Sequence, residues 1–197
     1  MAWERLDLDG AEVAIDRGWM AAADAAALFA TLLQAVPWQV HRIRIFGRWV
    51  DSPRLSCWIG DPGTDYTYSG ARFAPAPWPP ALATVRARVS AACGERFDSV
   101  LANLYRDGAD AMGWHRDTEP ELGPRPVIAS LSLGATRRFV LKQVADPAVR
   151  LALALPPGSL LRMAGATQAR YRHALPRTAA AVGPRINLTF RRLLRVR

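Results

Sequence analysis

The clearest strand signal in the chain is Arg185-Ile186-Asn187-Leu188-Thr189-Phe190-Arg191, in which polar and apolar residues alternate. Side chains of a β-strand point alternately to its two faces, so this stretch predicts one polar face and one apolar face. Two inward arginines in a β core are costly unless they hold an anion. The stretch therefore predicts an anion-binding strand inside a β core, and the alternative is a solvent-exposed basic strand.

Further short strands are predicted before this one. They span residues 100–105, 127–133, 138–141, 151–155 and 159–163. Gly134, between the second and third of these strands, favours a hairpin. Short strands that follow helices imply an α+β fold with an antiparallel barrel or a double-sheet jelly roll as its core. The periodicity alone does not choose between these β architectures.

The first part of the chain contains two helical patterns. Residues 24–36 are rich in Ala and Leu, with apolar residues at helical spacing, and Pro37-Trp38 ends this helix. Turns and short strands are predicted over residues 41–70. A proline cluster at residues 75–80 then begins a second amphipathic helix, which runs toward Cys93.

The length of 197 residues suits one domain with a substantial core. We therefore expect a single domain over residues 1–197, with a helical lead-in at 1–96 and a β core at 97–197 that carries the candidate site. The two cysteines, Cys57 and Cys93, lie in separate segments without metal-ligand spacing. Both are expected to be reduced thiols rather than a disulfide or a metal site.

The charge of the chain favours a polyanionic partner. There are 26 basic and 17 acidic residues, for a net charge of +9, and Lys142 is the only lysine. Nucleic acid fits this surplus because cations that neutralise phosphates release counterions. No stretch approaches the roughly eighteen uninterrupted apolar residues of a membrane span, and the N-terminus is unlike a secretory signal. We expect a soluble, cytoplasmic, nucleic-acid-associated monomer.

A metal site is predicted from three residues. His115 and Asp117 form a His-x-Asp pair, which points both side chains to one side of an extended segment, and His173 supplies a distant imidazole. Such a facial triad leaves open positions on iron, although zinc hydrolysis could use the same ligands. The strand from Arg185 to Arg191 favours 2-oxoglutarate, because guanidinium groups bind its two carboxylates in a bidentate way.

Several short motifs follow one another in the second half of the chain. They are Asn103-Leu104-Tyr105-Arg106-Asp107-Gly108, Trp114-His115-Arg116-Asp117-Thr118-Glu119, Ile128-Ala129-Ser130-Leu131-Ser132-Leu133-Gly134, Gly158-Ser159-Leu160-Leu161, Gly165-Ala166-Thr167-Gln168 and the Arg185 to Arg191 strand. This ordered set resembles the AlkB family of Fe(II)- and 2-oxoglutarate-dependent nucleic-acid dealkylases. The resemblance extends over residues 37–194 and is closest to members with a duplex-type recognition lid.

The resemblance implies a double-stranded β-helix core, the cupin-like jelly roll, with supporting helices and an N-terminal nucleotide-recognition lid. It implies Fe(II) on His115, Asp117 and His173, with 2-oxoglutarate and O2 as cosubstrates. The remaining implied roles concern 2-oxoglutarate. Arg185 and the Tyr105 hydroxyl would hold its distal carboxylate, while Asn103, Asn187 and Arg191 would hold the end that chelates iron.

The implied lid begins with Ile45-Phe46-Gly47-Arg48-Trp49. An apolar side chain at the tip of such a turn can enter a base stack in place of a flipped nucleotide, and Phe46 is placed for this role. Arg48 and Arg54 lie nearby for phosphates. The alternative is that Phe46 continues a buried strand.

Three further residues are expected to contact the base. Tyr66 and Tyr68 alternate with Thr67, so both can face one pocket, where a base would stack between Tyr68 and the His115 ring. Glu119 is expected to accept hydrogen bonds from an exocyclic amine. In the alternative reading, the tyrosines pack in the core and Glu119 is an ordinary loop acid.

The function implied is oxidative dealkylation of bases such as 1-methyladenine and 3-methylcytosine in single- or double-stranded DNA, with RNA as a further candidate substrate. A ferryl species would abstract hydrogen from the N-alkyl carbon, and hydroxyl rebound would give a hemiaminal that releases formaldehyde. Two alternatives are a dioxygenase of the same fold that acts on a protein or small molecule, and a non-catalytic nucleic-acid-binding module.

Overall fold

The computed structural model describes residues 2–45, 48–68 and 71–194, and the side chains at 43–45, 66–68 and 71–73 are left undescribed. The strands are β1 Glu4–Leu6, β2 Glu12–Asp16, β3 Gln39–Ile45, β4 Arg48–Gly60, β5 Tyr66–Tyr68, β6 Ala71–Phe73, β7 Ser99–Tyr105, β8 Met112–His115, β9 Ile128–Gly134, β10 Arg137–Gln143, β11 Arg150–Leu155, β12 Leu160–Ala164, β13 Tyr171–Leu175 and β14 Arg185–Arg191. The helices are α1 Ala22–Ala35, α2 Pro80–Cys93 and α3 Thr167–Arg170, with a 3-10 turn at Pro120–Leu122.

Two facing sheets form the core. The main sheet has eight strands in the order β1-β2-β12-β9-β14-β7-β4-β3, and the minor sheet has four in the order β11-β10-β13-β8. The strands within both sheets are paired antiparallel, and β5 pairs with β6 in a separate two-stranded ribbon. This topology confirms the predicted double-sheet jelly roll with an α+β composition.

The hydrophobic core has two layers, one on each face of the main sheet. Helices α1 and α2 pack on one face, where Leu32 and Leu82 meet apolar residues of β7, β9 and β14 such as Leu188. The second layer lies between the two sheets and includes Ile128 of β9 and Leu141 of β10. The helices therefore cover one side of the main sheet, and the minor sheet covers the other.

Both predicted helices are present. α1 begins two residues before the predicted start at residue 24. The backbone becomes extended at Val36, directly before Pro37. α2 has Pro80 in its first turn, where the missing N–H costs nothing, and it ends at Gly94, whose φ of 64° is left-handed. The proline cluster and the helix toward Cys93 were therefore predicted correctly.

The predicted hairpin around Gly134 is wrong. β9 lies in the main sheet between β12 and β14, whereas β10 lies in the minor sheet between β11 and β13. Gly134 has a φ of 77°, so it does form a turn, but the chain crosses from one sheet to the other there. A glycine turn between two strands fits a hairpin and a crossover equally well.

The predicted division between a helical lead-in at residues 1–96 and a β core at 97–197 also needs correction. β1, β2, β3 and β4 come from the first part, yet all four are strands of the main sheet. β2 pairs with β12, and β4 pairs with β7. The N-terminal part therefore completes both edges of the sheet that carries the candidate site.

Cys57 and Cys93 are buried free thiols, as predicted. Burial raises the pKa of each to about 11, so both are protonated near neutral pH. Within the part of the chain that the structure describes, no helix is long and apolar enough to cross a membrane.

Candidate active site

β14 forms the floor of the candidate site. It lies between β9 and β7, with Arg185 opposite Tyr105 and Asn187 opposite Asn103 on β7. All seven of its residues are buried, because the helices cover its apolar face and the minor sheet covers its polar face. This burial favours the prediction of a buried anion-binding strand over the alternative of a solvent-exposed strand.

The three predicted metal ligands converge above this floor. His173 on β13 is directly opposite His115, the last residue of β8, and Asp117 follows two residues later. Their candidate ligand atoms all lie within 4.8 Å of one another, and the two imidazole rings have centroids 4.2 Å apart at 68°. Residues that are far apart in sequence thus form one donor cluster.

The protonation states suit metal binding. Burial would raise the pKa of Asp117, but Arg191, His173 and His115 outweigh it and hold that pKa at about 2. Burial lowers the pKa of His173 to about 3, assisted by His115, and burial also lowers the pKa of His115. The cluster therefore offers a carboxylate and two neutral imidazoles near neutral pH, which are the forms that bind metals.

The orientation of His115 is set by its own strand. Its Nδ1 lies 2.8 Å from the carbonyl oxygen of Gly113, so Nδ1–H donates and Nε2 is left with its lone pair. A backbone partner of this kind commonly fixes the tautomer of a metal-binding histidine.

Polar side chains of β14 line the same cavity as the three candidate ligands. Arg185 donates from Nη2 to the Ser132 hydroxyl at 2.9 Å, and its guanidinium carbon lies 5.4 Å from the Tyr105 ring centroid. Burial lowers the pKa of Arg185 to about 10, while Tyr105 opposes this shift. The Arg185 Nε has no hydrogen-bond partner among the described residues. A buried guanidinium with donors to spare fits a ligand carboxylate.

The middle of the cavity is lined by amides and a second arginine. Asn187 donates to the Ser130 hydroxyl at 2.7 Å and accepts from Thr189 at 3.0 Å. Arg191 forms a buried ion pair with Asp117, at 3.1 Å between Nη2 and Oδ2. The three candidate metal ligands His115, Asp117 and His173, called the metal cluster below, line one cavity. The same cavity is lined by the residues that the sequence predicts for 2-oxoglutarate, which are Asn103, Tyr105, Arg185, Asn187 and Arg191.

The donor set fits Fe(II) with 2-oxoglutarate. Two imidazoles and one carboxylate on one side of an ion leave positions open on the other side. The two buried arginines that line the cavity match a dianion that chelates iron with one end, near Arg191, and pairs with Arg185 through the other. The spatial arrangement therefore agrees with the ligands that the sequence predicted.

Three residues at the site were not predicted in the roles they occupy. Arg54 is 4% exposed, and its Nε donates to the Asn103 Oδ1 at 2.6 Å. Gln168 accepts from the backbone N–H of Asp117 at 3.0 Å. Arg137 is buried and donates to three backbone carbonyls, those of Asp107, Asp110 and Pro176. Gln168 belongs to a recognised motif, but nothing in its sequence context indicates a bond to Asp117.

The prediction of Arg54 as a phosphate contact needs correction. Its side chain is buried and bonded to Asn103 on the neighbouring strand β7, because β4 becomes buried from Ser52 onward. Arg48 is exposed at the start of β4 and remains free for such a contact. Phe46 lies outside the described residues, so its predicted wedge role stays a prediction.

The other predicted base contacts stay predictions. Tyr66 pairs with Phe73 and Tyr68 with Ala71 along the backbone of the β5–β6 ribbon. Glu119 is partly buried directly before the 3-10 turn. It follows Asp117 by two residues in the chain.

Comparison with known proteins agrees with this geometry. A family model described as the 2OG-Fe(II) oxygenase superfamily matches residues 12–191. The DNA oxidative demethylase ALKBH2 of Mus musculus is 40% identical over 182 residues, which cover 87% of this chain and 76% of the relative. This chain belongs to the AlkB branch of the 2-oxoglutarate- and Fe(II)-dependent oxygenases. Fe(II) and 2-oxoglutarate as cofactors, with O2, are thereby confirmed.

Other AlkB relatives have similar identities. DNA oxidative demethylase ALKBH2 of Homo sapiens is 43% identical over 160 residues, 78% of this chain and 61% of the relative. Alpha-ketoglutarate-dependent dioxygenase alkB homolog 3 of Homo sapiens is 41% identical over 169 residues, 81% of this chain and 58% of the relative. The chain thus spans about three fifths of the length of these human relatives.

A solved structure of OsALKBH1 shares the AlkB fold with this chain. The TM-score is 0.65 at 20% identity, and the match covers 91% of this chain and 97% of the other. At this identity the likeness concerns the fold alone.

Proposed function

We propose that this AlkB-family chain catalyses the oxidative dealkylation of N-alkylated bases in nucleic acid, with release of the alkyl carbon as formaldehyde from a methylated base. The observation that carries the proposal is one cavity that joins the His115, Asp117 and His173 cluster to two buried arginines. The relatives named DNA oxidative demethylase support DNA as the substrate class. The net charge of +9 supports a nucleic-acid substrate independently.

His115, Asp117 and His173 would hold the iron. When bound with 2-oxoglutarate and O2, it supplies the oxidising power that hydroxylates an N-alkyl carbon, and the resulting hemiaminal breaks down to formaldehyde and the unmodified base. Asp117 stays ionised because its neighbours hold its pKa at about 2, so it provides the one negative charge among the three ligands.

The cosubstrate would be oriented by β14 and its neighbours. Arg185, steadied by Ser132 and flanked by Tyr105, pairs with the distal carboxylate of 2-oxoglutarate. Arg191 lies beside Asp117 and orients the chelating end together with Asn103 and Asn187. Holding both ends of the dianion removes its rotational freedom before reaction, which is the contribution that a positioned site makes to catalysis.

The base would be held above the metal by the lid. Tyr68 and the His115 ring are proposed to stack on its two faces, with Tyr66 beside it. Glu119 would accept a hydrogen bond from the exocyclic amine. Alkylation on the pairing edge of adenine or cytosine makes the base cationic, and a carboxylate nearby favours that form.

The lid turn would separate the base from its stack. We propose that Phe46 fills the gap left by the flipped nucleotide and that Arg48 pairs with a phosphate. The protein is proposed to act as a monomer on single- or double-stranded DNA, and RNA remains a candidate substrate.

A comparison of substrates tests the proposed function. The protein is incubated with iron, 2-oxoglutarate and oligonucleotides that carry 1-methyladenine or 3-methylcytosine, as single-stranded DNA, duplex DNA and RNA. Loss of the methyl group from at least one base in DNA is expected, measured by mass spectrometry of the digested strand. No loss from either base in DNA, under conditions where 2-oxoglutarate binds, would refute the proposed function.

A further inference from the structure

The outer face of the minor sheet carries a row of cations. Lys142 of β10 is directly opposite Arg150 of β11 on one side and Arg172 of β13 on the other. The neighbouring residues Leu141 and His173 point inward to the core and the metal cluster, so the row points outward. Arg150 and Arg172 are exposed, and Lys142 is partly exposed. We call these three residues the cationic row.

The positive charges of the cationic row have no acidic partners among the described residues. Among the described residues, none of its three members forms an ion pair with a carboxylate. Like charges directly opposite one another on adjacent strands destabilise a sheet. With strands about 4.8 Å apart, the row extends over roughly 10 Å of surface. The row costs folding stability, and it extends in a line. Both features fit the binding of an extended anion that runs across the strands.

The cationic row leads toward the metal cluster. His115 is opposite His173 at the end of β8, the strand next to β13, and Arg116 directly follows His115 in the chain. Arg116 is exposed and is steadied by a hydrogen bond from Nη1 to the Ala169 carbonyl at 3.2 Å. An anion that follows the row therefore reaches the residue that lies between the metal ligands His115 and Asp117.

Trp114 orients the lysine of the row. The Lys142 ammonium lies 4.0 Å from the centroid of the Trp114 ring, which is itself 42% exposed at the edge strand β8. A cation–π contact of this kind holds the ammonium at the surface while its remaining donors stay available to a phosphate. Lys142 is also the only lysine of the chain.

We propose that the cationic row, extended by Arg116, binds the phosphate backbone of the nucleic-acid strand whose base enters the active site. The proposal deepens the proposed function, on which it rests for the choice of nucleic acid as the polyanion. The surface would add affinity without reading sequence, because phosphate contacts position a protein on its substrate and carry no base information. It lies on the outer face of the minor sheet, opposite the face that packs on the main sheet.

The test compares two triple variants with the same loss of charge. K142Q/R150Q/R172Q removes the cationic row, and R5Q/R88Q/R96Q removes three exposed arginines from β1, α2 and the turn after α2. Binding of each protein to an unmodified fluorescent single-stranded oligonucleotide is measured over a range of NaCl concentrations. Removing three phosphate contacts is expected to reduce the slope of log affinity against log salt by about 2, at roughly 0.7 per contact on single strands.

Demethylation of a 1-methyladenine oligonucleotide is measured on the same proteins. The row variant is expected to show a raised KM for the oligonucleotide with kcat retained, while the control variant keeps the wild-type slope and KM. A row variant whose slope equals that of the wild type, or a control variant that loses as much, would overturn the proposal. If the wild-type protein binds through the row but removes no methyl group, the proposed function is refuted. The proposed binding surface is then still supported.

Discussion

One strand, β4, contains two regions with opposite surroundings. Residues 48–51 are exposed, with Trp49 at 49% and Val50 at 38%, and they pair only with β3. From Ser52 onward the strand enters the main sheet, where Arg54 is 4% exposed and bonds to Asn103. β4 therefore runs from the exposed residues where the lid is predicted to the buried residues that contact Asn103 in the active site.

The difference between these ends separates two tasks. At the buried end, side chains are held by neighbours on β7, β9 and β14, so the ligand-binding geometry exists before any ligand arrives. At the exposed end, residues 48–51 pair with β3, and β5 pairs with β6 in a separate ribbon. Substitutions in the core should therefore affect cofactor binding and stability, whereas those in the lid should affect only the choice of substrate.

The largest expected effect is at the metal cluster. His115→Ala removes one of three ligands, so we expect no detectable demethylation and a loss of metal binding, measured by isothermal titration with Mn(II) as a redox-stable substitute. Affinity for unmodified DNA should stay close to that of the wild type, because none of the proposed phosphate contacts is made by His115. Retained turnover in this variant would exclude His115 as a ligand.

Arg185→Ala should have the next largest effect, confined to the cosubstrate. Losing charge-assisted hydrogen bonds of about 1.5–3 kcal/mol corresponds to a rise of roughly 10- to 100-fold in the KM for 2-oxoglutarate. Arg125→Ala, which removes an exposed arginine, serves as the control and should leave this KM unchanged. Steady-state kinetics with varied 2-oxoglutarate measures both. An unchanged KM in Arg185→Ala would contradict the assigned carboxylate contact.

Gln168→Ala is expected to weaken metal binding without touching a ligand. Its carbonyl holds the backbone N–H of Asp117, and loss of such an outer partner typically costs 10- to 100-fold in metal affinity. The effect should lie toward the lower end of this range, because the bond reaches the Asp117 backbone rather than its carboxylate. Gln34→Ala on the exposed face of α1 is the control. Equal Mn(II) affinity in the two variants would limit Gln168 to a packing role.

The smallest effects are expected in the lid. Trp49→Ala should change the free energy of unfolding by no more than about 0.5 kcal/mol, as for other exposed side chains, and thermal or urea unfolding measures it. Phe46→Ala should reduce activity on duplex DNA several-fold and spare single-stranded DNA. An equal loss on both substrates would contradict the wedge, and a large loss of stability in Trp49→Ala would contradict the separation between lid and core.

The buried half of the site was largely predictable from the sequence. The alternation from Arg185 to Arg191 identified the floor strand, since a period of two is a direct consequence of strand geometry. His115 and Asp117 were predictable as a pair for the same reason. His173 was proposed as the third ligand from its residue type, and the family resemblance strengthened that assignment, because pairing between distant strands leaves no local signal.

The errors concern which strand pairs with which. Gly134, the last residue of β9, was interpreted as a hairpin turn, although the chain crosses there to the other sheet. Strands β1 and β2 were missed because three to five residues are too few to show a period. Arg54 was assigned to phosphates because its charge indicated exposure, whereas its bond to Asn103 depends on the register of β4 with β7.

In the proposed function, one cavity couples the breakdown of 2-oxoglutarate to removal of a methyl group from a base. The most direct measurement is the ratio of succinate to formaldehyde formed on an oligonucleotide that carries one 1-methyladenine. We predict equal amounts of both products in the wild type and neither in His115→Ala. Succinate without formaldehyde, on a DNA strand that keeps its methyl group, would contradict the claim.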